Sequence, residues 1–384
     1  MKETDEREKI IKLFMQFENK IFPVRNRFVR AATWLAACRG DGRATPASIS
    51  RQVEAAAGGA GTVISECAYI SPEGRALDRQ WGIDGDDALP EVRALADAIH
   101  GAGSKLVVQI CHAGCAAEAK EGARPYSPSG GRCPGNDSET AAMTREDIKK
   151  VCRDFAAAAK RVKDGGADGV EIHGAHGFLL TQFMSPLINK RTDEYGGLFE
   201  NRLRAMREVY YAVRGAVGED FSVWLKLSAV EGAEGGYGAE EGIGAALTLL
   251  ADGVDVLEVS SGTGYSKPQH APSVVGVSSG ESEAPFAKYA AEIRSKAPKN
   301  SLVLLTGGLR SLPVIAALLD DGTADLFGIS RPFIAEPDLI NRWAEDDARP
   351  SACVSCNACF RTSEYGAIDC PIMRDRQEGD WDPL

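Results

Sequence analysis

The sequence predicts an α/β fold, namely a (β/α)8 TIM barrel followed by a short cysteine-bearing C-terminal tail. Eight short apolar runs recur along the 384 residues, and a segment with helical periodicity follows each run. Strands that alternate with helices form parallel sheets with right-handed crossovers. An open, doubly wound sheet is the alternative, and the count of eight favours the closed barrel. We therefore expect residues 1–346 to form the barrel domain and residues 347–384 the tail.

The eight predicted strands are nearly continuous apolar stretches, as is typical of strands that are covered on both faces. In chain order they are Arg27–Thr33, Thr62–Ile70, Lys105–His112, Gly169–His176, Ser222–Ala229, Val254–Ser261, Ser301–Gly307 and Asp325–Ser330.

Three of the intervening helices carry clear boundary signals. Ala88–Gly101 has a proline near its start and a glycine at its end. The run Thr144-Arg145-Glu146-Asp147 resembles a capping box and predicts a long helix to about Asp164. A third helix is expected from Ser311 to about Gly322.

Two longer irregular stretches, Ala113–Ala142 and Gly262–Ala284, follow the third and sixth predicted strands. In a barrel, the loops after the strands lie over the C-terminal mouth, where active sites sit. We expect the selection of substrate to depend on these two loops.

Charge and composition exclude several classes of protein. The net charge of −11 argues against a nucleic-acid partner, because binding to phosphates usually needs a basic face. The first residues carry charges of both signs, and no run approaches the roughly 18 apolar residues that span a bilayer. We therefore expect a cytoplasmic protein without a membrane partner. Its ten cysteines are then expected to be thiols or metal ligands, not disulfides.

The seventh and eighth predicted strands end in two loops that together suit a phosphate. Gly307 and Gly308 expose backbone N–H groups, and Arg331 beside Ser330 supplies a forked cation. In a barrel these loops form the usual phosphate site, although paired glycines can also simply turn the chain. No strand is followed by GxGxxG or by a P-loop pattern, so a Rossmann dinucleotide site is not expected.

Two of the five histidines, His173 and His176, lie three residues apart at the end of the fourth predicted strand. A metal site would need a third ligand, and none stands nearby at the usual spacing. The remaining functional interpretation is a pair of neutral donors to a carbonyl or nitro oxygen, which would stabilise charge that develops there.

The stretch Asp168–Leu180, DGVEIHGAHGFLL, closely resembles the Old Yellow Enzyme family of FMN-dependent NAD(P)H oxidoreductases. The resemblance continues through Arg191–Gly197, RTDEYGG, and covers roughly residues 10 to 345. Further family-like segments are Asn26–Arg30, Ser71–Arg75, Gln109 with His112–Gly114, Glu200–Arg202 and Gly328–Pro332.

The resemblance implies a barrel that holds FMN, uses NAD(P)H as reductant and reduces a small unsaturated carbonyl compound or a related electrophile. His173 and His176 would be the catalytic residues. The residues that it places at the flavin are Ala31 and Ala32, Thr33 near the C4 carbonyl, Cys67 beside the ring, Gln109 at the pyrimidine edge, Lys226 at N1 and the C2 carbonyl, and Gly307, Gly308, Ser330 and Arg331 at the phosphate.

Two residues depart from the family's pattern. Many relatives have Arg where Lys226 stands, so the charge is kept and the fork is lost. Alkene-reducing relatives usually have a proton-donating Tyr at the position of Phe178. The proton would then come from water or another group, with Tyr69, Tyr237, Tyr265 and Cys111 as candidates, or the substrate would be a quinone or nitro compound that needs none. A flavin-binding redox sensor or electron-transfer protein, and an amine or ether dehydrogenase, are the alternative functions.

Four cysteines crowd the predicted tail: Cys353, Cys356, Cys359 and Cys370. They resemble the iron–sulfur segment of the 2,4-dienoyl-CoA reductase and 2-enoate reductase branch of the family. Two of the gaps are one residue shorter than in that pattern. A [4Fe–4S] cluster, a zinc ion and unligated thiols are the three interpretations that the spacing leaves open.

Overall fold

The computed structural model describes residues 2–118, 124–135, 138–280 and 282–378. Eight parallel strands close into a ring, which confirms the predicted (β/α)8 barrel. The strands are β1 (Phe28–Arg30), β2 (Thr62–Ile64), β3 (Lys105–Cys111), β4 (Gly169–Gly174), β5 (Ser222–Ser228), β6 (Val256–Ser260), β7 (Leu302–Thr306) and β8 (Leu326–Ile329).

Pairing of β1 with β8 closes the ring, with Val29 opposite Gly328. Alternate residues of the strands point inward and fill the lower half of the barrel with a buried apolar cluster. Phe22 packs against Trp224 at the base of this cluster, with ring centroids 5.0 Å apart. The next inward residues towards the C-terminal end are polar, so the barrel changes from apolar to polar below its mouth.

The helices form the outer layer: α1 (Lys2–Phe14), α2 (Pro46–Ala57), α3 (Leu89–Gly101), α4 (Arg145–Asp164), α5 (Leu179–Met184), α6 (Phe199–Val217), α7 (Ala239–Asp252), α8 (Ala287–Lys296), α9 (Leu312–Asp320), α10 (Arg331–Ala335), α11 (Leu339–Ala344) and α12 (Pro371–Glu378). The capping box predicted at Thr144 is present, because the side chains of Thr144 and Asp147 each accept from the other's backbone N–H. The predicted third helix, α9, ends two residues before Gly322.

The second strand is shorter than predicted. It ends at Ile64, and pairing with β3 resumes only at Ala68–Tyr69. In the gap between these two segments, the Ser65 hydroxyl accepts a hydrogen bond from the backbone N–H of Gln109 at 3.1 Å. A side chain thus replaces the backbone carbonyl that would accept this bond in a regular strand pair. The apolar pattern over Thr62–Ile70 could not show this substitution of a side chain for a backbone carbonyl.

The loop after β3 carries three short strands, Tyr126–Ser127, Gly131–Arg132 and Glu139–Ala142. A disulfide joins Cys115 to Cys133 in this loop, so the expectation that the cysteines would not form disulfides is wrong for this pair. Both sulfurs are buried, and they pack against Ile188 and Tyr265. The other cysteines are free.

The tail packs on the mouth of the barrel. The backbone N–H of Ser351 donates a hydrogen bond to the carbonyl of Arg310, and that of Ile368 donates to the carbonyl of Leu35. Ile368 and Cys359 are buried against Ala36. The last part of the predicted tail, 379–384, lies outside the described residues.

A search for membrane-spanning segments across the described residues finds no helix with the length and apolarity that a bilayer crossing requires.

Candidate functional site

A cavity of about 200 Å³ opens at the C-terminal end of the barrel. Most of the predicted cofactor-binding residues line it, together with one of the two predicted catalytic histidines: Ala31, Ala32, Thr33, His176, Lys226, Gly307, Gly308, Ser330 and Arg331. The other predicted site residues, Cys67, Gln109 and His173, are buried and do not line this cavity. The lining also includes Trp34, Ser260, Pro272, Ser273, Thr306, Arg310, Gly328 and Phe360.

The glycines after β7 have backbone conformations that other residues rarely adopt. Gly307 has φ +120° and Gly308 has φ +71°. A Cβ atom on Gly308 would lie 2.5 Å from Pro285 Cδ, so a side chain does not fit there. Beside them, the hydroxyl of Thr306 is buried without a hydrogen-bond partner. The loop thus brings bare backbone and an unsatisfied hydroxyl to the wall of the cavity, as a phosphate site requires.

Two arginines stand at this end of the cavity, and both contact the tail. Arg331 donates to the Asn357 side chain at 2.5 Å and to Val274 O at 3.0 Å. Arg310 donates to the Ser355 hydroxyl at 2.7 Å. The backbone N–H groups of Arg310 and Ser311 are bound by Glu283, so the start of α9 is already occupied by a carboxylate.

Four polar side chains form a layer across β3, β4, β5 and β6 below the cavity. Gln109 donates to Glu171 at 2.6 Å, and Lys226 pairs with Glu258 at 2.7 Å. Glu171 and Glu258 are fully buried, and one carboxyl oxygen of each has no hydrogen-bond partner. Burial, and then the charge of Glu258, raise the pKa of Glu171 well above its usual range. Lys226 thus has a carboxylate partner in the layer and also lines the cavity.

The two histidines lie edge to face, with ring centroids 5.1 Å apart. His176 has φ +63° and is followed by Gly177 at φ +83°, a left-handed pair that turns the chain sharply after β4. The backbone N–H of His176 donates to Ser228, and its Nε2 lies 2.8 Å from the Ser260 hydroxyl. Such an unusual backbone at a strand end is a feature of functional sites.

Both imidazoles are neutral at physiological pH. Burial, and then the charge of Lys226, lower the pKa of His173 to about 3. The same two causes, together with His173, hold the pKa of His176 well below its usual range. Nδ1 of His173 accepts from the Ala175 N–H at 3.2 Å, so its Nε2 carries the proton. His173 therefore presents a neutral N–H donor.

Phe178 stacks on His173, with ring centroids 4.6 Å apart and an angle of 25° between the planes. It fixes the plane of the imidazole and supplies no proton. None of the four alternative proton sources lines the described cavity. Tyr69 donates to Asp41 O, Tyr237 to Ser228 O and Tyr265 to Glu231, while the Cys111 sulfur accepts from Gln80.

The four tail cysteines face one region, but they do not form a ligand set. Burial raises the pKa of Cys359 to about 11, and the other three thiols contribute to that shift. Within the part of the chain that the structure describes, no three His, Cys, Asp or Glu side chains lie close enough to hold a metal ion. The arrangement of Cys353, Cys356, Cys359 and Cys370 therefore does not fit a bound metal or cluster as it stands.

Sequence reasoning missed the acidic half of the polar layer and the tail's share of the cavity. Glu171 and Glu258 interrupt apolar strand runs at inward positions, and that interruption was a readable signal. Glu283, Arg310 and Phe360 carry no such signal, because loop and tail contacts bring them to the site.

A further buried carboxyl, Glu66, stands directly before Cys67 and makes stability depend on pH. Burial raises its pKa from 4.5 to about 7, against the opposing effects of Cys38 and Arg30. The unfolded chain loses this proton at lower pH than the folded chain, so stability falls as pH rises from 4.5 to 7. We expect the free energy of unfolding of Glu66→Gln, relative to the native protein, to rise by about 3 kcal/mol across that window. Urea titrations at several pH values measure this, and parallel curves for the two proteins would contradict it.

Comparison with known proteins places this chain in a class of flavin enzymes. The sequence profile of the NADH:flavin oxidoreductase / NADH oxidase family matches residues 12–349. The chain belongs to this family, which confirms the predicted membership, the FMN cofactor with NAD(P)H as reductant, and the class of enzyme. Two solved structures share the fold: a 2-naphthoyl-CoA reductase complex, with 27% identity, TM-score 0.86 and coverage of 97% of this chain and 58% of that one, and the old yellow enzyme homologue from Zymomonas mobilis, with 25% identity, TM-score 0.76 and coverage of 97% and 100%.

Three relatives illustrate the range within the family. An NADH oxidase of Thermoanaerobacter brockii is 34% identical over 87% of this chain and 51% of its own length. An NADPH dehydrogenase of Bacillus licheniformis is 34% identical over 85% of this chain and 92% of its own length. An N,N-dimethylglycine/sarcosine dehydrogenase of Chromohalobacter salexigens is 33% identical over 93% of this chain and 52% of its own length. The chain thus spans about half the length of two of these relatives and most of the other.

Proposed function

We propose that this protein uses FMN and NAD(P)H to reduce a small unsaturated carbonyl compound or a related electrophile. The observation that carries the proposal is the pair of neutral imidazoles at the mouth of the barrel, one with its N–H free to donate and the other on the wall of the cavity. Neutral donors held in a buried site stabilise negative charge that develops on a substrate oxygen. NAD(P)H would bind at the same face, because no separate dinucleotide motif is present in the sequence.

The residues of the cavity fit FMN at both ends. Thr306, Gly307 and Gly308 present an unsatisfied hydroxyl and open backbone towards a phosphate, and Ser330 and Arg331 complete that end. Lys226 reaches the cavity from the polar layer and suits the carbonyl end of the ring, with Gln109 in the same layer. The hydroxyls of Thr33 and Ser330 lie 2.8 Å apart, so Thr33 connects the phosphate end of the cavity to the ring end. Ala31, Ala32 and Cys67 are proposed neighbours of the ring.

Bound FMN would supply the transfer of a hydride from NAD(P)H to the substrate. His173 and His176 orient the substrate by its oxygen and polarise the adjoining double bond. Lys226 holds a positive charge where negative charge accumulates during the reaction. Phe178 keeps the His173 imidazole in place and excludes water from one of its faces. The carbon proton then comes from water at the cavity, since Phe178 has none to give and the tyrosines bond elsewhere.

The first experiment is spectroscopic. We expect the purified protein to be yellow, to carry one FMN per chain and to be bleached by NADH or NADPH. Addition of 2-cyclohexenone or a benzoquinone should restore the colour, and turnover of the quinone should exceed that of the enone because the quinone needs no proton on carbon. A colourless protein that takes up no FMN would refute the proposal. Bleaching without turnover of any acceptor would support the alternative of a flavin-binding redox sensor or electron-transfer protein.

Amine dehydrogenation is the second candidate, and the similarity to the dimethylglycine/sarcosine dehydrogenase over 93% of this chain favours it. That reaction would take electrons from the substrate and would need an added acceptor. Sarcosine and dimethylglycine with a dye acceptor, tested beside NADPH with cyclohexenone, distinguish the two directions of electron flow. Faster reduction of the protein by an amine than by NADPH or NADH would replace the first proposal with this one.

A further inference from the structure

We propose that Glu171 and Glu258 share one proton below the flavin site and take up a second when the bound flavin is reduced. They would act as positioning residues, because they reach the flavin through Gln109 and Lys226. The inference rests on the proposed function for the identity of the bound group. The proton between the two carboxyl groups is a property of this chain itself.

The geometry points to a proton between the two acids. Glu171 Oε1 and Glu258 Oε2 are buried, and neither receives a hydrogen bond from an N–H or O–H donor. The other oxygen of each acid is occupied, since Gln109 donates to Glu171 Oε2 and Lys226 to Glu258 Oε1. Two ionised carboxylates cannot hydrogen-bond to each other, because both are only acceptors. One proton placed between the acids satisfies both orphaned oxygens and leaves the pair with a single negative charge.

The charges around the pair show where that proton resides. Glu258 has the Lys226 ammonium 2.7 Å away, whereas Glu171 has only the neutral Gln109 amide. A nearby cation favours the ionised form of a carboxyl group, so the proton lies on Glu171. Besides Glu258, the charged group that acts on Glu171 is Lys226, and the two histidines above the layer are neutral. The whole layer, with one ammonium and one carboxylate, has no net charge.

Reduction of the bound flavin changes this balance. A hydride brings two electrons and one proton, which leaves one extra negative charge beside Lys226. Like charges at short range in a buried site repel strongly, so the affinity of Glu258 for a proton rises. A second proton then enters the pair from solvent, and both acids become neutral. In total the protein gains two electrons and two protons, with the hydride from NAD(P)H and the additional proton from water.

The pH dependence of the reduction potential tests this uptake. Each proton taken up with two electrons changes the potential by about 30 mV per pH unit. We expect a slope of about 60 mV per pH unit between pH 6 and 8 in the native holoenzyme and of about 30 mV in Glu258→Gln, which lacks the acid that takes up the second proton. Its potential at pH 7 should also be higher, because Lys226 has then lost its counter-charge. Glu171→Gln mimics the protonated acid and should keep the native slope. Glu208→Gln, a carboxyl on the outer helix α6 that binds Tyr195, is the matched control and should keep the native slope.

Infrared spectroscopy gives an independent measurement. The native protein should show the C=O band of a buried carboxylic acid, and this band should grow on reduction. The oxidised Glu171→Gln protein should lack the band. A native slope in Glu258→Gln, or no acid band in the native protein, would overturn the proposal. If the isolated protein binds no FMN, the proposed function fails, but the infrared band of the flavin-free protein still decides whether the pair shares a proton. Should Glu171→Gln not fold, Glu258→Gln alone tests the slope.

Discussion

Replacement of His173 by alanine is expected to lower the rate of enone reduction by about 10²–10³-fold, as loss of one preorganised donor to a developing oxyanion typically does. The reason is geometric and electrostatic. The imidazole is fixed by stacking on Phe178 and by the Ala175 N–H, and it is neutral with its proton on Nε2. Stopped-flow reoxidation of the reduced enzyme by 2-cyclohexenone measures this step directly.

His173→Gln supplies the matched comparison, because its amide N–H reaches roughly where Nε2 stands, and it should recover part of the rate. His100→Ala is the surface control, since this histidine pairs with Asp168 on the outside of the barrel. The reduction of the enzyme by NAD(P)H should change little in all three variants. A loss in His173→Ala that is confined to reduction by the nicotinamide would contradict the assigned role.

The architecture was predictable because each unit of the repeat buries its own apolar strand. Runs such as Ser222–Ala229 needed no distant information to be recognised as strands. The break after Ile64 was not predictable, because it depends on the Ser65 hydroxyl reaching the backbone N–H of Gln109 across the sheet. The disulfide from Cys115 to Cys133 had no signal either, since it joins two positions of an irregular loop.

The residues of the site likewise divide into those that local sequence predicts and those that depend on distant contacts. Residues at strand ends, such as Thr33, Lys226 and the glycines after β7, were predictable because the C-terminal ends of parallel strands meet at one mouth. The role of Lys226 changed in three dimensions, since its ammonium binds Glu258 as well as reaching the cavity. The contacts of Arg331 and Arg310 with the tail depend on how residues 351–370 fold back, and no local pattern reports that.

Replacement of Phe178 by tyrosine is expected to raise the rate of enone reduction by about 10²-fold or more, within the 10²–10⁴-fold range of a positioned general acid. The ring centroids of Phe178 and His173 are 4.6 Å apart. A hydroxyl added to Phe178 therefore lies near the His173 imidazole, which is proposed to bind the substrate oxygen. The proton would then come from this phenol and not from water. Single-turnover reoxidation by 2-cyclohexenone in H2O and in D2O measures both the rate and the change of proton source.

A quinone is the internal control for this gain, because its reduction places no proton on carbon, so its rate should stay within about twofold if the phenol acts only as an acid. Phe360→Tyr is the matched variant, since it adds the same hydroxyl to the cavity from the tail and not beside the histidines. An equal gain with quinone and enone would indicate better binding of both acceptors. No gain with the enone would mean that Phe178 did not replace a proton donor, and the carbon proton would have to be sought among the residues of the loops after β3 and β6.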